Sequence, residues 1–357
     1  MSTERHVKWL SATGHNAVEG VYTPHRDGAL IEARSTRGNY QKDYERILDS
    51  AQLARLEHIK QAFLYPPRHS NVSTRLSHSH SVAAIAATIA ERVGLNVELA
   101  LAGGLGHDCG HAPGGHAGED ALSRYTSTPF DHATWGALVL SRLGLSEEVL
   151  DAVRNHSWSH FSPFTPEGQV VSIADRIAYA TDDLRDAMSL GLCGDATRIV
   201  EEWREGFIED AAEIIEKYNI VGLSNEAIAS LNIMRNMCNQ IIYSRPASVL
   251  ENAAIIHSIC LVTDQLIALK GVSPMAAAMR VSLMTDESVV LEAIKAGMDT
   301  NERPLTTEES TGARAPYKVP DDIDPHITPE DAAALCWVLR GDNVPFLRYR
   351  ARGMNNT

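Results

Sequence analysis

The sequence predicts a mainly helical protein, because helical periodicity of apolar residues runs through most of the chain and strand-like alternation is scarce. Ser146 before two glutamates predicts a helix N-cap, and Thr328 before Pro329 predicts another at the start of a last helix, about 329–340. We therefore expect a helical bundle with additional C-terminal helices. The periodic segments are 47–63, 82–93, 97–105, 135–143, 149–153, 170–188, 196–218, 227–243 and 247–269.

Composition divides the chain into three regions. Residues 1–45 are polar and rich in Gly, Arg, His and Thr, so we expect an irregular N-terminal segment. Residues 46–245 carry most of the helical periodicity and form the expected core. Residues 246–357 are expected to form a C-terminal helical region, with a Pro-, Thr- and Glu-rich connector at about 301–325.

Charge and cysteine content exclude several classes of protein. The net charge is −14, from 46 acidic and 32 basic residues, which argues against nucleic-acid binding through a broad basic face. The five cysteines are scattered and form no C-x-x-C pair, so neither a disulfide framework nor a zinc knuckle is indicated. Without an apolar leader or a run of about 18 apolar residues, we expect a cytoplasmic protein with no membrane span.

A run rich in glycine and histidine, residues 103–119, is the most informative segment. It contains three histidines, an aspartate and a glutamate among seven of the 24 glycines in the chain. Glycine lets the backbone bend tightly and approach a ligand, while imidazoles and carboxylates supply metal ligands and proton carriers. The segment therefore predicts a functional site.

Two histidines and two aspartates are candidate metal ligands. His107 and Asp108 are adjacent, so both reach one ion most easily at a helix end. His78 lies where an amphipathic helix begins, and Asp175 lies among apolar helix positions where an unpaired carboxylate is costly. Such a mixed nitrogen and oxygen site suits Mn, Fe, Mg, Co or Zn.

This order of residues, H…HD…D, is similar to the signature of the HD phosphohydrolase superfamily. Over roughly residues 43–190 the chain resembles the dGTPase-like deoxynucleoside triphosphate (dNTP) triphosphohydrolases. The matching blocks are 55–56, 60–63, 74–78, 106–111, 116–119, 130–132, 155–157 and 166–179. Several independent blocks in the order of the family make chance an inadequate explanation.

The resemblance implies an HD-domain helical bundle and a role for each matching position. A divalent metal ion, Mn, Mg or Fe, would be held by His78, His107, Asp108 and Asp175. The catalytic group would comprise His116, Glu119, His132 and His111. Sugar and phosphates would contact Gln61, Arg75, Arg176, Tyr179 and Asp183.

Helical geometry supports part of this assignment. Asp175, Tyr179, Asp183 and Asp186 fall on one helical stripe, so the helix with a metal ligand also presents a phenol and two carboxylates. The alternative for Asp183 and Asp186 is a solvated helix face. By the same geometry, positions 116 and 119 can face each other at a helix start, which would let the glutamate orient the imidazole.

Two further interpretations concern the glycine-rich run. Cys109 beside a metal ligand could be a nucleophile, but a small spacer is the simpler interpretation. Where family members carry Pro-Pro-Phe or a close variant, this chain has Ala112-Pro113-Gly114, which predicts a smaller and looser loop wall.

The expected reaction is metal-dependent hydrolysis of a dNTP at the α-phosphate to deoxynucleoside and inorganic triphosphate. Arg75 and Arg176 would offset phosphate charge, and His116 would either protonate the departing 5′-oxygen or help activate water. Alternatives are a deoxynucleotide monophosphatase, a signalling-nucleotide hydrolase, or a nucleotide-regulated binding protein. The resemblance also implies a homo-oligomer, and an allosteric nucleotide is compatible with it; we expect neither a membrane nor a nucleic acid as partner.

Overall fold

The computed structural model describes residues 5–10, 17–22, 40–64 and 72–299, and these are mainly helical, which confirms the predicted fold class. The helices are α1 Tyr40–Leu48, α2 Ala51–Arg55, α3 Arg75–Arg92, α4 Val97–Gly106, α5 His116–Leu122, α6 His132–Leu140, α7 Glu147–Asn155, α8 Pro166–Ser189, α9 Thr197–Tyr218, α10 Asn225–Cys238, α11 Pro246–Lys270, α12 Pro274–Ser282 and α13 Asp286–Asp299. A short 3₁₀ turn, Leu56–His58, follows α2, another, Ser141–Leu143, follows α6, and a π-helical turn, Asn239–Tyr243, follows α10.

The N-terminal segment contains regular structure where the sequence predicted none. Strand β1, Arg5–Leu10, pairs antiparallel with β2, Ala17–Tyr22, and Arg5 lies opposite Tyr22 in the register. Helical structure then begins at Tyr40 rather than at 46. The division into three domains stays a prediction.

Three apolar clusters make up the core of the described residues, and each collects a different set of helices. The first joins α3, α8, α9 and α10; the second joins α1, α2, α4, α6 and α7; the third joins α5, α11, α12 and α13. Helix α3 contributes to two of them, with Val82 and Ile85 in the first and Ala83 in the second. The helices predicted to carry metal ligands therefore lie at the centre of the bundle.

Several helix starts follow the capping rules, whereas α5, α7, α9 and α11 lack a side-chain capping bond. Thr74 accepts from the backbone N–H of Ser77 in a capping box at α3, and Thr165 caps α8 ahead of Pro166. Ser146 does occupy the N-cap position of α7, but its hydroxyl makes no capping bond. Its backbone N–H instead donates to Asp43 at 2.9 Å, so the start of α7 is tied to α1.

The C-terminal helices α12 and α13 were not among the predicted segments, and side chains near their junction are fastened to the core. Asp286, the first residue of α13, accepts from the backbone N–H of Lys60 at 2.9 Å and of Gly114 at 2.7 Å. Arg55 donates to the carbonyl oxygen of Met284 at 3.0 Å. The predicted connector at 301–325 and last helix at 329–340 lie outside the described residues.

By length and composition, one described helix, α11, could cross a membrane. Core helices of water-soluble bundles pass the same test, and α11 packs Ile255 and Ile259 into the third cluster against α5 and α13.

The close approach of α3 and α4 depends on Gly104. A methyl group there would lie 2.7 Å from the Cα atom of Ala83, which is closer than packed atoms tolerate. We expect Gly104→Ala to lower the free energy of unfolding by about 1–3 kcal/mol in urea titrations. The matched control is Gly206→Ala in exposed α9, where nothing lies within 4 Å and alanine should gain about 0.5–1 kcal/mol. Equal stability of Gly104→Ala and the parent would contradict this account.

Candidate active site

The four candidate metal ligands come together between α3, α4 and α8. Nε2 of His78 lies 3.1 Å from Oδ1 of Asp175, and Nε2 of His107 lies 3.8 Å from the same oxygen. Nε2 of His107 is also 3.3 Å from Oδ1 of Asp108. Both imidazoles are buried, with His78 1% and His107 0% exposed. Residues separated by up to 97 positions in sequence thus share one small volume.

The positions of the candidate ligands on their helices explain how their side chains are oriented. His78 occupies the first turn of α3, and Asp175 lies in the middle of α8. His107 follows the last residue of α4, where its Nδ1 donates to the carbonyl oxygen of Gly104 at 2.7 Å. Because a carbonyl oxygen only accepts, the proton of His107 sits on Nδ1 and the lone pair of Nε2 faces the carboxylates.

This donor set fits a divalent metal ion. Nε2 of His107 is buried and has no hydrogen-bond partner among the described residues, as expected of an atom that serves as a ligand. Burial alone would raise the pKa of Asp175, but the hydrogen bond from His78 and the charge of Arg176 hold it well below its usual range. Two imidazole nitrogens and two carboxylate oxygens suit transition metals as well as Mg.

Beside this site, Glu119 joins two histidines. Its Oε1 lies 2.9 Å from Nδ1 of His111 and 2.9 Å from Nδ1 of His132. The two rings stack with their centroids 3.8 Å apart. Glu119, the fourth residue of α5, also lies within 4.8 Å of a ring nitrogen of His116, but its close contacts are with His111 and His132 and not with the expected partner His116.

Gly110 makes this stacking possible. A Cβ atom there would lie 2.0 Å from the carbonyl oxygen of His132 and 2.3 Å from the backbone nitrogen of Gly136. The glycine-rich loop thus packs directly on the backbone of α6, which brings His111 and His132 together. The absence of a Cβ atom at Gly110 therefore permits a direct backbone contact, which matters more here than the flexibility of the loop.

His116 begins α5 and contacts the stacked pair at its edge. Its ring is roughly perpendicular to His111, with centroids 5.1 Å apart, and to His132, with centroids 5.5 Å apart. Although the residue reaches solvent, the surrounding protein desolvates the imidazole and, with His111 and Arg75 nearby, lowers its pKa to about 3 against the opposing charge of Glu119. A polyanionic phosphate chain beside His116 would raise that pKa.

Arg75, one of the predicted phosphate-contacting residues, lies at the same place. Arg75 is buried and donates from Nη1 to Oδ2 of Asp108 at 2.9 Å, so it neutralises the carboxylate of a candidate metal ligand. Its Nη2 lies 3.0 Å from where a Cβ of Gly115 would be. Nε of Arg75 and Oε1 of Gln61 are buried without hydrogen-bond partners among the described atoms, so each remains available to a ligand.

The remaining substrate residues line α8 farther along. Arg176 lies over the ring of Trp158 at 5.3 Å, and Tyr179 lies parallel to Tyr243 with centroids 6.1 Å apart. The Tyr243 hydroxyl donates to Oδ2 of Asp183, while Oδ1 of that buried carboxylate has no partner among the described residues. One acceptor oxygen therefore remains for a ligand hydroxyl.

Sequence reasoning missed Tyr243 and Trp158 as wall residues. Tyr243 ends the π-helical turn between α10 and α11. In the sequence it is the last apolar position of the periodic segment 227–243, and this pattern predicts only a helix. Trp158 follows the matching block 155–157, and nothing in that block indicates that an arginine from α8 lies over it.

The predicted stripe on α8 is correct, and the alternative of a solvated face is wrong. Asp183 is 0% and Asp186 5% exposed, and Asp186 accepts from the backbone N–H of Ser73 at 2.8 Å. Burial raises the pKa of Asp183 to about 7 and that of Asp186 to about 6.

The glycine-rich loop is packed more tightly than the sequence predicted, whereas Cys109 has the predicted role of a spacer. Gly114 is held by the hydrogen bond to Asp286, and a methyl group there would meet Ile255 of α11 at 2.8 Å, so the loop wall is tightly packed and not loose. Burial raises the pKa of the Cys109 thiol to about 12, which fits a spacer and not a nucleophile.

The match to known families falls on this part of the chain. The HD domain family model matches residues 75–180, which include all four candidate metal ligands. The chain carries an HD domain. The resemblance drawn from the H…HD…D order is thus confirmed, and α3 to α8 supply its helices.

Relatives of this HD domain protein carry consistent names. It is 41% identical over 159 residues to the deoxyguanosinetriphosphate triphosphohydrolase-like protein of Caldanaerobacter subterraneus subsp. tengcongensis, covering 43% of this chain and 46% of the relative. It is 38% identical over 173 residues to the protein of that name from Desulfatibacillum aliphaticivorans, covering 44% and 49%. For the Clostridium tetani protein of that name the values are 35% over 190 residues, 49% and 54%. The alignments span about half the length of these curated relatives.

Asp183 should lower stability at neutral and alkaline pH. Because its folded pKa, about 7, exceeds the ordinary 3.8, folding takes up a proton between these values, so stability falls as pH rises from about 4 to 7 and stays reduced above. We expect Asp183→Asn to unfold with a free energy higher by on the order of 1–3 kcal/mol at pH 8, and the gain to shrink toward pH 5. Urea titrations at both pH values measure this. A pH-independent difference would contradict it.

Proposed function

We propose that this HD domain protein is a metal-dependent phosphohydrolase that splits a dNTP at the α-phosphate into deoxynucleoside and inorganic triphosphate. The observation that carries the proposal is that His78 and His107 both lie near Asp175, and His107 near Asp108, beside the cluster of Glu119, His111 and His132. The names of the relatives, which concern triphosphohydrolase-like proteins, favour a nucleoside triphosphate as substrate.

The residues that would hold the metal ion are His78, His107, Asp108 and Asp175. When bound there, a divalent cation supplies Lewis-acid stabilisation of charge on a phosphate oxygen and favours deprotonation of water near neutral pH. Arg75 and Arg176 are both largely desolvated, and in this environment each guanidinium offsets the charge of the phosphate chain more strongly than it would in water.

His116 is the candidate for proton transfer at the departing 5′-oxygen. It is neutral in the substrate-free protein, since its pKa is about 3, and the arriving phosphate charge favours its protonated form. Protonated, it can donate to the alkoxide that leaves; neutral, it can accept a proton from water. The stacked pair behind it fixes the ring position.

The sugar would lie against α8. Tyr179 presents a flat apolar surface that lies parallel to Tyr243, and the unpartnered Oδ1 of Asp183 can accept a hydrogen bond from the 3′-hydroxyl of the deoxyribose.

Product analysis tests this proposal. The purified chain is incubated with each of the four dNTPs and four NTPs, with Mg or Mn, and nucleoside, triphosphate, pyrophosphate and phosphate are separated by chromatography. We expect deoxynucleoside and triphosphate in equal amounts. Release of pyrophosphate or monophosphate would replace this reaction with another HD-type phosphohydrolase activity.

Replacing His116 should separate chemistry from metal binding. We expect His116→Ala to retain the metal content and the folded circular-dichroism spectrum of the parent, while turnover falls by about 10²–10⁴-fold because the proton carrier is gone. Turnover at the parental rate would exclude His116 from catalysis.

Replacing Asp175 should have the opposite pattern. Elemental analysis of purified Asp175→Ala should show less bound metal, because one of four protein ligands and its charge are removed. Unchanged metal content per chain would show that Asp175 is not a ligand.

The proposal also covers the location, the ligands and the assembly of the protein. We place the protein in the cytoplasm, with the dNTP as its small-molecule partner, and propose assembly into a homo-oligomer that an allosteric nucleotide can modulate. Multi-angle light scattering after gel filtration, with and without each dNTP, measures the mass of the assembly and any nucleotide-dependent change.

A further inference from the structure

The carboxylate of Asp286 joins two segments that carry residues of the candidate active site. Asp286 is the first residue of α13 and is 7% exposed. Its Oδ2 accepts from the backbone N–H of Lys60 at 2.9 Å, and its Oδ1 accepts from that of Gly114 at 2.7 Å. Lys60 precedes Gln61, and Gly114 lies two residues before His116. One buried carboxylate therefore connects the segment of a predicted substrate residue to the turn before the candidate proton carrier.

The start of α13 is capped without the Asp286 side chain. The backbone N–H of Ser288 donates to Oγ1 of Thr285 at 3.1 Å, and the backbone N–H of Thr285 donates to Oγ of Ser288 at 2.8 Å. Burial raises the pKa of Asp286, so its carboxylate occupies a position that is unfavourable without hydrogen bonds. Because both of its oxygens bond to segments outside α13, the side chain serves the contact between those segments.

The first of these segments is also held from its other side. The backbone N–H of Gln61 donates to the carbonyl oxygen of Ser73 at 3.2 Å, and that of Arg75 donates to the carbonyl oxygen of Ile59 at 2.8 Å. These bonds fix the segment beside the start of α3. The intervening N–H, that of Lys60, is the one that the carboxylate accepts.

The second segment turns sharply just before α5. Gly114 and Gly115 both have left-handed backbone angles, with φ of +72° and +57°, and the N–H of Gly115 donates to the carbonyl oxygen of Ala112 at 3.0 Å. His116 is the next residue and the first of α5. The bond from Gly114 to Asp286 thus fixes the turn that determines where His116 lies.

Arg55 holds the other end of the same loop. Its Nη2 donates to the carbonyl oxygens of His111 at 2.6 Å and Cys109 at 3.3 Å, and its Nη1 donates to that of Met284 at 3.0 Å. Burial lowers the pKa of Arg55, and the nearby negative charge of Asp286 opposes this effect. A guanidinium on carbonyl oxygens and a carboxylate on N–H groups therefore hold loop 109–114 at both ends.

We propose that Asp286 is a positioning residue that sets the place of His116 relative to the Gln61 segment. The inference rests on the proposed function, which assigns proton transfer to His116. A displacement of about 1 Å in a catalytic group can lower the rate by about 10²-fold. Loss of the bridging carboxylate would have this effect although Asp286 itself does not touch the substrate.

Hydrogen–deuterium exchange of the substrate-free full-length chain, resolved to single residues, tests the bridge. We expect slow exchange at the amides of Lys60 and Gly114 in the parent, although Gly114 is partly exposed. In Asp286→Asn, where an NH₂ group replaces one acceptor oxygen, at least one of the two should exchange about tenfold faster. The matched control is Asp43→Asn, because buried Asp43 accepts from the backbone N–H of Ser146 at 2.9 Å, and its replacement should leave both amides unchanged.

Fast exchange at either amide in the parent would overturn the bridge, and this measurement depends on no variant. Unchanged exchange at both amides in Asp286→Asn would overturn it as well.

A double-mutant cycle tests whether Asp286 acts through His116. Turnover is measured for the parent, Asp286→Asn, His116→Ala and the double variant, each at the same interval below its melting temperature. We expect Asp286→Asn to lower kcat by about 10–10²-fold in the parent and by less than about threefold in His116→Ala. A general loss of structure would lower kcat by the same factor in both backgrounds, and that result would contradict a positioning role. Asp286→Glu, which keeps both acceptor oxygens on a longer side chain, is taken through the same cycle.

These outcomes are distinguishable from failure of the proposed function. A parent that shows both slow amides but releases a product other than triphosphate would remove the proposed reaction and leave the bridge, and the cycle is then run with the nucleotide that it cleaves. A parent that releases triphosphate but shows fast exchange at Lys60 or Gly114 would keep the reaction and remove the role of Asp286.

Discussion

Burial of two carboxylates among three helices is the constraint on which the rest of the structure depends. Asp108 is buried and the Asp175 side chain is 16% exposed, so an uncompensated charge at either position would cost several kcal/mol or force the carboxyl to take up a proton. The guanidinium of Arg75 and the imidazoles of His78 and His107 supply the compensation. Because these partners come from α3 and from the end of α4, the packing of these helices against α8 also brings the residues of the site together.

Two glycines set how closely the backbones around the site approach each other. At Gly104 the backbones of α3 and α4 touch, and at Gly110 the loop touches the start of α6, in each case at distances that no Cβ atom would permit. These contacts position His107 and the stacked pair of His111 and His132. Stability and function therefore rest on the same contacts, since the backbone approach that packs the helices also sets the spacing of the imidazoles.

At Asp183, by contrast, an arrangement that suits a ligand lowers the stability of the fold. Asp183 is buried with one oxygen unpartnered among the described residues, an arrangement that costs stability and is expected where a ligand completes the hydrogen bonding. Tyr243, from the turn between α10 and α11, covers this carboxylate, and Asp286 and Arg55 link the region of α13 to the loop beside the metal ligands.

The sequence by itself determined the helical class, most helix positions and the four candidate metal ligands, because periodicity and the H…HD…D order are local properties of the chain. It placed His107 and Asp108 correctly at a helix end and the aspartates of α8 on one stripe. Only the tertiary structure decided that Glu119 turns to His111 and His132 instead of His116, that the loop at Gly114 is packed on α11, and that His156 faces His132. Such contacts join residues from separate helices, and no spacing along the chain encodes the angle at which two helices meet.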